Sequence, residues 1–130
     1  MKTYVKVILA VLALVILIGA GGLYYISRNL ETVVDENIKN IDLSTIEDGS
    51  YVGVYEAGRF SNELKIKVKD HRIIEITVAK DILISQPEVT EKLFDRVLKN
   101  QKVNVDVISE ATVTSKAYLK SIENALSDKK

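Results

Sequence analysis

Residues 7–26 read VILAVLALVILIGAGGLYYI, twenty residues without a charge. About 20 apolar residues coiled into a helix match the hydrocarbon core of a bilayer. A helix also satisfies its own backbone polar groups, the condition for crossing lipid. The run therefore divides the chain. The remainder is about 100 residues long, room for one small domain. The expected organisation is a transmembrane anchor over 1–26, a spacer or stalk over 27–47 and a folded domain over 48–130.

The flanks orient the anchor. Lys2 and Lys6 precede the run; Arg28 follows it, and then come Glu31, Asp35 and Glu36. The positive-inside bias predicts a single pass in the cell membrane, with the N-terminus in the cytoplasm and the domain outside. Tyr24 and Tyr25 stand where an interfacial aromatic belt would lie. The small residues Gly19-Ala20-Gly21-Gly22 also suit a cleaved leader. A retained anchor is the expectation, because the apolar run continues to Ile26 and no tidy Ala-x-Ala site is present. Either way the domain is exported.

Charge and composition exclude several function classes. Residues 27–130 carry 16 Lys and Arg against 18 Asp and Glu, so no basic surface for nucleic acid is expected. There is no cysteine, hence no disulfide, thiolate metal site or cysteine nucleophile. The single histidine, His71, falls in a turn and is expected to be a solvated loop residue. No Ser-His-Asp set, carboxylate pair or metal cluster points to a hydrolase.

Periodicity predicts the elements. Leu30, Val33, Val34, Ile38 and Ile41 follow helical spacing, which suits either an amphipathic stalk or a partly ordered linker. A strand is expected after the Asp48-Gly49-Ser50 turn, from Tyr51, Val52, Val54 and Tyr55. Leu64, Ile66 and Val68 alternate with Lys65, Lys67 and Lys69, a half-buried antiparallel strand with one basic face. Asp70-His71 reads as a tight hairpin turn into a strand over 73–84. Ser85 and Glu88 are spaced as a capping box, and Val89, Leu93, Phe94, Val97 and Leu98 mark an amphipathic helix. Residues 103–108 alternate and suit a further short strand. A last helix is expected over about 115–127, capped by Thr114 or Ser115. The fold class is α+β: a small antiparallel sheet packed by two helices, preceded by one transmembrane helix.

The stretch before the last helix carries the chemistry. Ser109, Thr112, Thr114 and Ser115 place four hydroxyls within seven residues. Free N–H groups and the dipole make a helix N-terminus suited to phosphate. Plain capping by Ser or Thr gives the same pattern.

In its order of parts the chain resembles the FMN-binding domain family, found in flavin-carrying subunits of sodium-pumping NADH:quinone reductase and in small membrane-anchored bacterial flavoproteins. Asp48-Gly49-Ser50-Tyr51-Val52-Gly53 resembles that family's Asp-Gly-x-Tyr-x-Gly opening strand. The stretch 66–73 followed by Ile76 resembles its central hairpin. Val105-Asp106-Val107-Ile108-Ser109-Glu110-Ala111-Thr112-Val113-Thr114-Ser115 resembles its flavin motif, usually Val-Asp-x-x-Ser-Gly-Ala-Thr-x-Thr-Ser. The resemblance covers residues 48–127, and Ala125-Leu126 matches too.

The resemblance implies FMN as cofactor. In many members the threonine matching Thr112 carries FMN through a phosphoester placed by a flavin transferase; in others FMN is held without that bond. Asp106 and Ser109 match the transferase recognition motif, Ala111 lies within it, and Thr114 and Ser115 would meet the phosphate. The implied partners are FMN, the membrane, a flavin transferase and a redox partner, and the implied role is electron transport rather than enzymatic turnover. Four positions depart from the pattern. Glu110 and His71 stand where glycine is usual, Val107 where glycine is frequent, and Gln86-Pro87-Glu88 where many members have Glu-Thr-Pro-Gly. A flavin-free domain serving as a binding or interaction module at the outer membrane face is the alternative.

Overall fold

The computed structural model describes residues 2–27, 33–34 and 37–127. Helix α1 spans Lys2–Ser27. It is long and apolar enough to cross a membrane, with mean hydropathy 2.7 in its most apolar window, and none of it is buried. Strands β1 (Gly49–Tyr55), β2 (Asn62–Lys69) and β3 (Arg72–Lys80) form one antiparallel sheet in the order β1-β2-β3. Helices α2 (Pro87–Asn100) and α3 (Thr112–Ser127) complete the α+β fold. Arg28, Leu30, Glu31, Asp35 and Glu36, which bear on the orientation and on part of the spacer, lie outside the described residues.

Alternation in β2 sorts its side chains as the period of two requires. Leu64, Ile66 and Val68 are buried while Lys65, Lys67 and Lys69 are exposed. The buried row meets Tyr118, Leu119, Ile122, Ala125 and Leu126 of α3 and Leu93, Phe94 and Val97 of α2 in one core. Phe94 and Tyr118 pack edge to face with ring centroids 5.6 Å apart.

Gly53 sets how closely α3 approaches the sheet. A Cβ built there would lie 1.8 Å from the Ser121 carbonyl oxygen and 2.8 Å from the Ala125 Cβ. Beside it, the buried Asn62 amide donates to the carbonyls of Phe60 at 3.1 Å and Ala117 at 3.2 Å, and accepts from the Ser121 hydroxyl at 2.6 Å. The amide thereby joins β2 to α3 with its polar capacity used.

The hairpin turn is as expected. Asp70 and His71 have φ of 52° and 61°, positive at both central residues as a two-residue type I′ turn requires. The Asp70 N–H donates to the Asp48 carboxylate at 2.8 Å. His71 is not merely a solvated loop residue: its Nδ1 lies 3.0 Å from the Ile46 carbonyl oxygen. Residues 37–47 run without α-helix, apart from a 3₁₀ turn at Leu43–Thr45, so no continuous stalk forms there. They lie along the domain: Ile46 is in the core, Ile38, Ile41 and Leu43 pack against it, and the Lys39 N–H donates to Glu123 at 3.2 Å.

Four local expectations fail for identifiable reasons. Strand β3 ends at Lys80 rather than near residue 84, because Asp81 ties the following loop to α3. Ser85 does not cap α2; its hydroxyl donates to Asp81 at 2.6 Å, and Gln86 holds the cap position without a side-chain bond. Residues 103–108 form no strand, since their polar groups are met by side chains. The Val103 N–H donates to Asn40, Arg96 Nη1 donates to the carbonyls of Asp106 and Val107, and the Ile108 N–H donates to Ser115. Finally, α3 begins at Thr112, about one turn before the predicted start.

Candidate functional site

The early start of α3 rearranges the hydroxyl-rich stretch. Ile108-Ser109-Glu110-Ala111 is a β-turn closed by the Ala111 N–H on the Ile108 carbonyl at 3.0 Å. Glu110, its third residue, has a φ of 66°. That is the left-handed conformation for which glycine is the natural choice, and an L side chain there costs about 1–2 kcal/mol. Glutamate holds this conformation at the position where the resemblance places a glycine, and the residue is exposed to solvent.

Ala111 stands at the cap position. The first bond of the helix runs from the Ser115 N–H to the Ala111 carbonyl at 2.9 Å. The N–H groups of Thr112, Val113 and Thr114 therefore have no carbonyl within the helix. Ser115 is fully buried, and its hydroxyl accepts from the Ile108 N–H at 3.1 Å. It holds the turn together and is turned away from any ligand. The observed cap is thus neither of the predicted residues, Thr114 or Ser115.

A cavity of about 420 Å³ opens at this helix end, within the ~300–1,000 Å³ usual for small-ligand sites. Its walls are Glu110, Ala111, Thr112, Val113 and Thr114 on one side. Facing them are Arg59 and Phe60 from the 3₁₀ turn Gly58–Phe60, and Ile82, Ile84 and Gln86 from the loop after β3. Of the expected site residues, Ala111, Thr112 and Thr114 line the cavity. Asp106 and Ser109 are exposed nearby in sequence but do not line it, and neither does Ser115.

Arg59 is the cation in the cavity lining, and Glu110 the acid. The Arg59 Nε is buried and has no hydrogen-bond partner among the described residues. The guanidinium carbon lies 4.4 Å from the centroid of the Phe60 ring. A cation–π contact of this kind contributes about 0.5–2 kcal/mol. It supplies no acceptor, and leaving a buried donor unmet costs about 1–3 kcal/mol. Nothing in the sequence marks Arg59: it is one cation in a break between strands, with no spacing to set it apart.

The loop after β3 is held by Asp81. Its carboxylate accepts from the Tyr118 hydroxyl, the Ser85 hydroxyl at 2.6 Å and the Ile82 N–H at 2.8 Å. Partial burial would raise the Asp81 pKa, but these donors hold it below the ordinary carboxylate value. Burial, and then the bond to Asp81, push the Tyr118 hydroxyl up to about 12. The Leu83 N–H also donates to the Arg59 carbonyl at 2.9 Å, joining the loop after β3 to the Gly58–Phe60 turn.

Apart from the Glu110 carboxylate, the cavity lining suits a phosphate-bearing aromatic ligand. The Arg59 guanidinium, whose Nε lacks a partner among the described residues, and the N–H groups at the start of α3 suit a phosphate; Phe60, Ile82 and Ile84 suit a flat apolar ring system, and the exposed Thr112 lines the same cavity. The FMN-binding domain family matches residues 29–127 of the chain. No curated protein matches it.

Proposed function

This chain belongs to the FMN-binding domain family, and on that premise we propose that it is a membrane-tethered FMN protein that carries electrons outside the cytoplasm. FMN would occupy the cavity at the start of α3. Arg59 and the N–H groups of Thr112, Val113 and Thr114 would hold its phosphate, and Phe60, Ile82 and Ile84 would exclude water from its ring. Bound FMN supplies one- and two-electron chemistry, while the protein supplies binding and electrostatics. The observation that carries this reading is Arg59, which lines the same cavity as Thr112 and whose buried Nε has no partner among the described residues.

Thr112 is the proposed attachment point for a phosphoester. It is the first residue of α3 and is exposed, so its hydroxyl is open to a transferase. Asp106 and Ser109, exposed on the segment leading to it, would be read by that enzyme. The full chain, produced together with a flavin transferase and weighed intact, should gain the mass of one FMN less one water. Thr112→Ala should abolish the gain. No gain in the native chain, with transferase activity verified on another substrate, would overturn covalent attachment.

A further inference from the structure

The cavity lies at one end of the sheet. Strand β2 starts there, after the Gly58–Phe60 turn, and ends at the 70–71 hairpin about 25 Å away. Loop 81–86 and the first turn of α3 share the cavity end. The anchor touches that end as well: α1 contacts the Gly58–Phe60 turn. Among the large apolar residues of α1, Tyr25 and Ile26 are the least exposed, at 49% and 41%. The contact is therefore made by the C-terminal end of the anchor, which meets the bilayer surface if α1 spans it.

Leu83 and Ile84 project from the same end, 64% and 53% exposed. Single exposed aliphatic residues are ordinary. This pair is adjacent in the chain and bonded, through the Leu83 N–H, to the turn on which the anchor rests. The only acid in loop 81–86 is Asp81, whose carboxylate is engaged by Tyr118, Ser85 and the Ile82 N–H. The loop thus presents aliphatic carbon beside the level of the Tyr24 and Tyr25 belt.

We propose that Leu83 and Ile84 dock the domain on the lipid surface around its own anchor, so that the cavity opens at the headgroup level rather than into bulk solvent. The proposal rests on the reading that α1 spans the bilayer; Ile84 also lines the cavity, whereas Leu83 does not and docks whether or not flavin is bound. Residues that enter the interface gain from burial of apolar carbon, and the tether holds them there at high local concentration.

Because the chain has no cysteine, single-site labelling tests this directly. The full-length protein is reconstituted in phosphatidylcholine vesicles with an environment-sensitive fluorophore at one of four positions: Leu83→Cys, Ile84→Cys, Lys69→Cys at the hairpin end, and Leu14→Cys in the anchor. Headgroup-level nitroxide lipids should remove most of the emission at positions 83 and 84 and leave that at 69 unchanged. Deep nitroxide lipids should quench position 14. Quenching at 14 without quenching at 83 and 84 overturns the docking and leaves the anchor standing. Lack of quenching at 14 overturns both. Protection of position 83 from an aqueous quencher without lipid quenching means that protein, such as a second copy of the chain, covers the loop, and this also overturns the proposal.

Discussion

The two ends of the sheet solve the same backbone problem differently. At the hairpin end, Asp70 and His71 both hold positive φ. Each is tied down, Asp70 through its N–H to Asp48 and His71 through Nδ1 to the Ile46 carbonyl. Gln101 completes that end, its side-chain amide bonding both the N–H and the carbonyl of Ile73 at 2.7 and 3.0 Å. At the cavity end, Glu110 also holds positive φ, but its side chain has no partner among the described residues. Arg59 Nε is buried and unmet among the described residues, and Leu83 and Ile84 are exposed. Strain and polarity are compensated locally at one end and left open at the other. Uncompensated features of this kind are where a ligand or a surface supplies the missing partner.

The largest effect should come from the element both ends share. Gly53→Ala forces a Cβ against the Ser121 carbonyl and should destabilise the domain by about 3 kcal/mol or more. Urea unfolding would show both ends failing together.

Next comes Arg59→Ala. It should weaken FMN binding by about 1.5–3 kcal/mol, the value of a charge-assisted bond, while unfolding stability stays level or rises. A matching fall in stability would make Arg59 a structural residue and remove the contrast between the ends.

Tyr118→Phe tests the cavity wall through pH. The folded-state Tyr118 pKa is about 12 against an ordinary 10. The stabilisation it reflects is complete below pH 10 and is lost as pH rises from 10 to 12. The variant should lose about 1 kcal/mol at neutral pH and should show less of that alkaline decline in urea unfolding. Asp81 works in the opposite sense: its pKa is lowered, so its contribution is present above about pH 4 and fades on acidification. Asp81→Asn should flatten the acid side.

The smallest effects form a pair. Glu110→Gly relieves about 1–2 kcal/mol of left-handed strain and gives back part of it as chain entropy. It should therefore stabilise by up to about 1 kcal/mol and tighten FMN binding by removing a charge beside the phosphate. His71→Gly relieves similar strain but loses the bond to Ile46, so its net effect should be near zero. Equal gains at both sites, read as shifts in the urea midpoint, would erase the difference between the ends.

Much of the scaffold was legible because its rules are periodic. The lysine row, the hairpin turn and the stripe of α2 each follow from local pattern, while Gly53 entered only through the family resemblance. What escaped involved competition between partners. Ser85 suits a helix cap until a nearby carboxylate claims it. Residues 103–108 alternate like a strand, but Asn40, Arg96 and Ser115 satisfy them without one. Thr112 and Thr114 fit a helix as readily as a cap, so the start of α3 moved one turn. Arg59 was invisible for the opposite reason: an isolated cation has no pattern, and its meaning comes from a cavity that only the fold assembles.

Everything proposed for the cavity depends on the open end of the sheet being an anion-holding flavin site. FMN titrated into the full chain, produced without transferase and followed by flavin fluorescence, tests it without intermediaries. Saturable quenching is expected, weakened at least about tenfold in Arg59→Ala and unchanged in Lys67→Ala on the outer face of the sheet. Equal quenching in both variants, or none in the native chain, would contradict it.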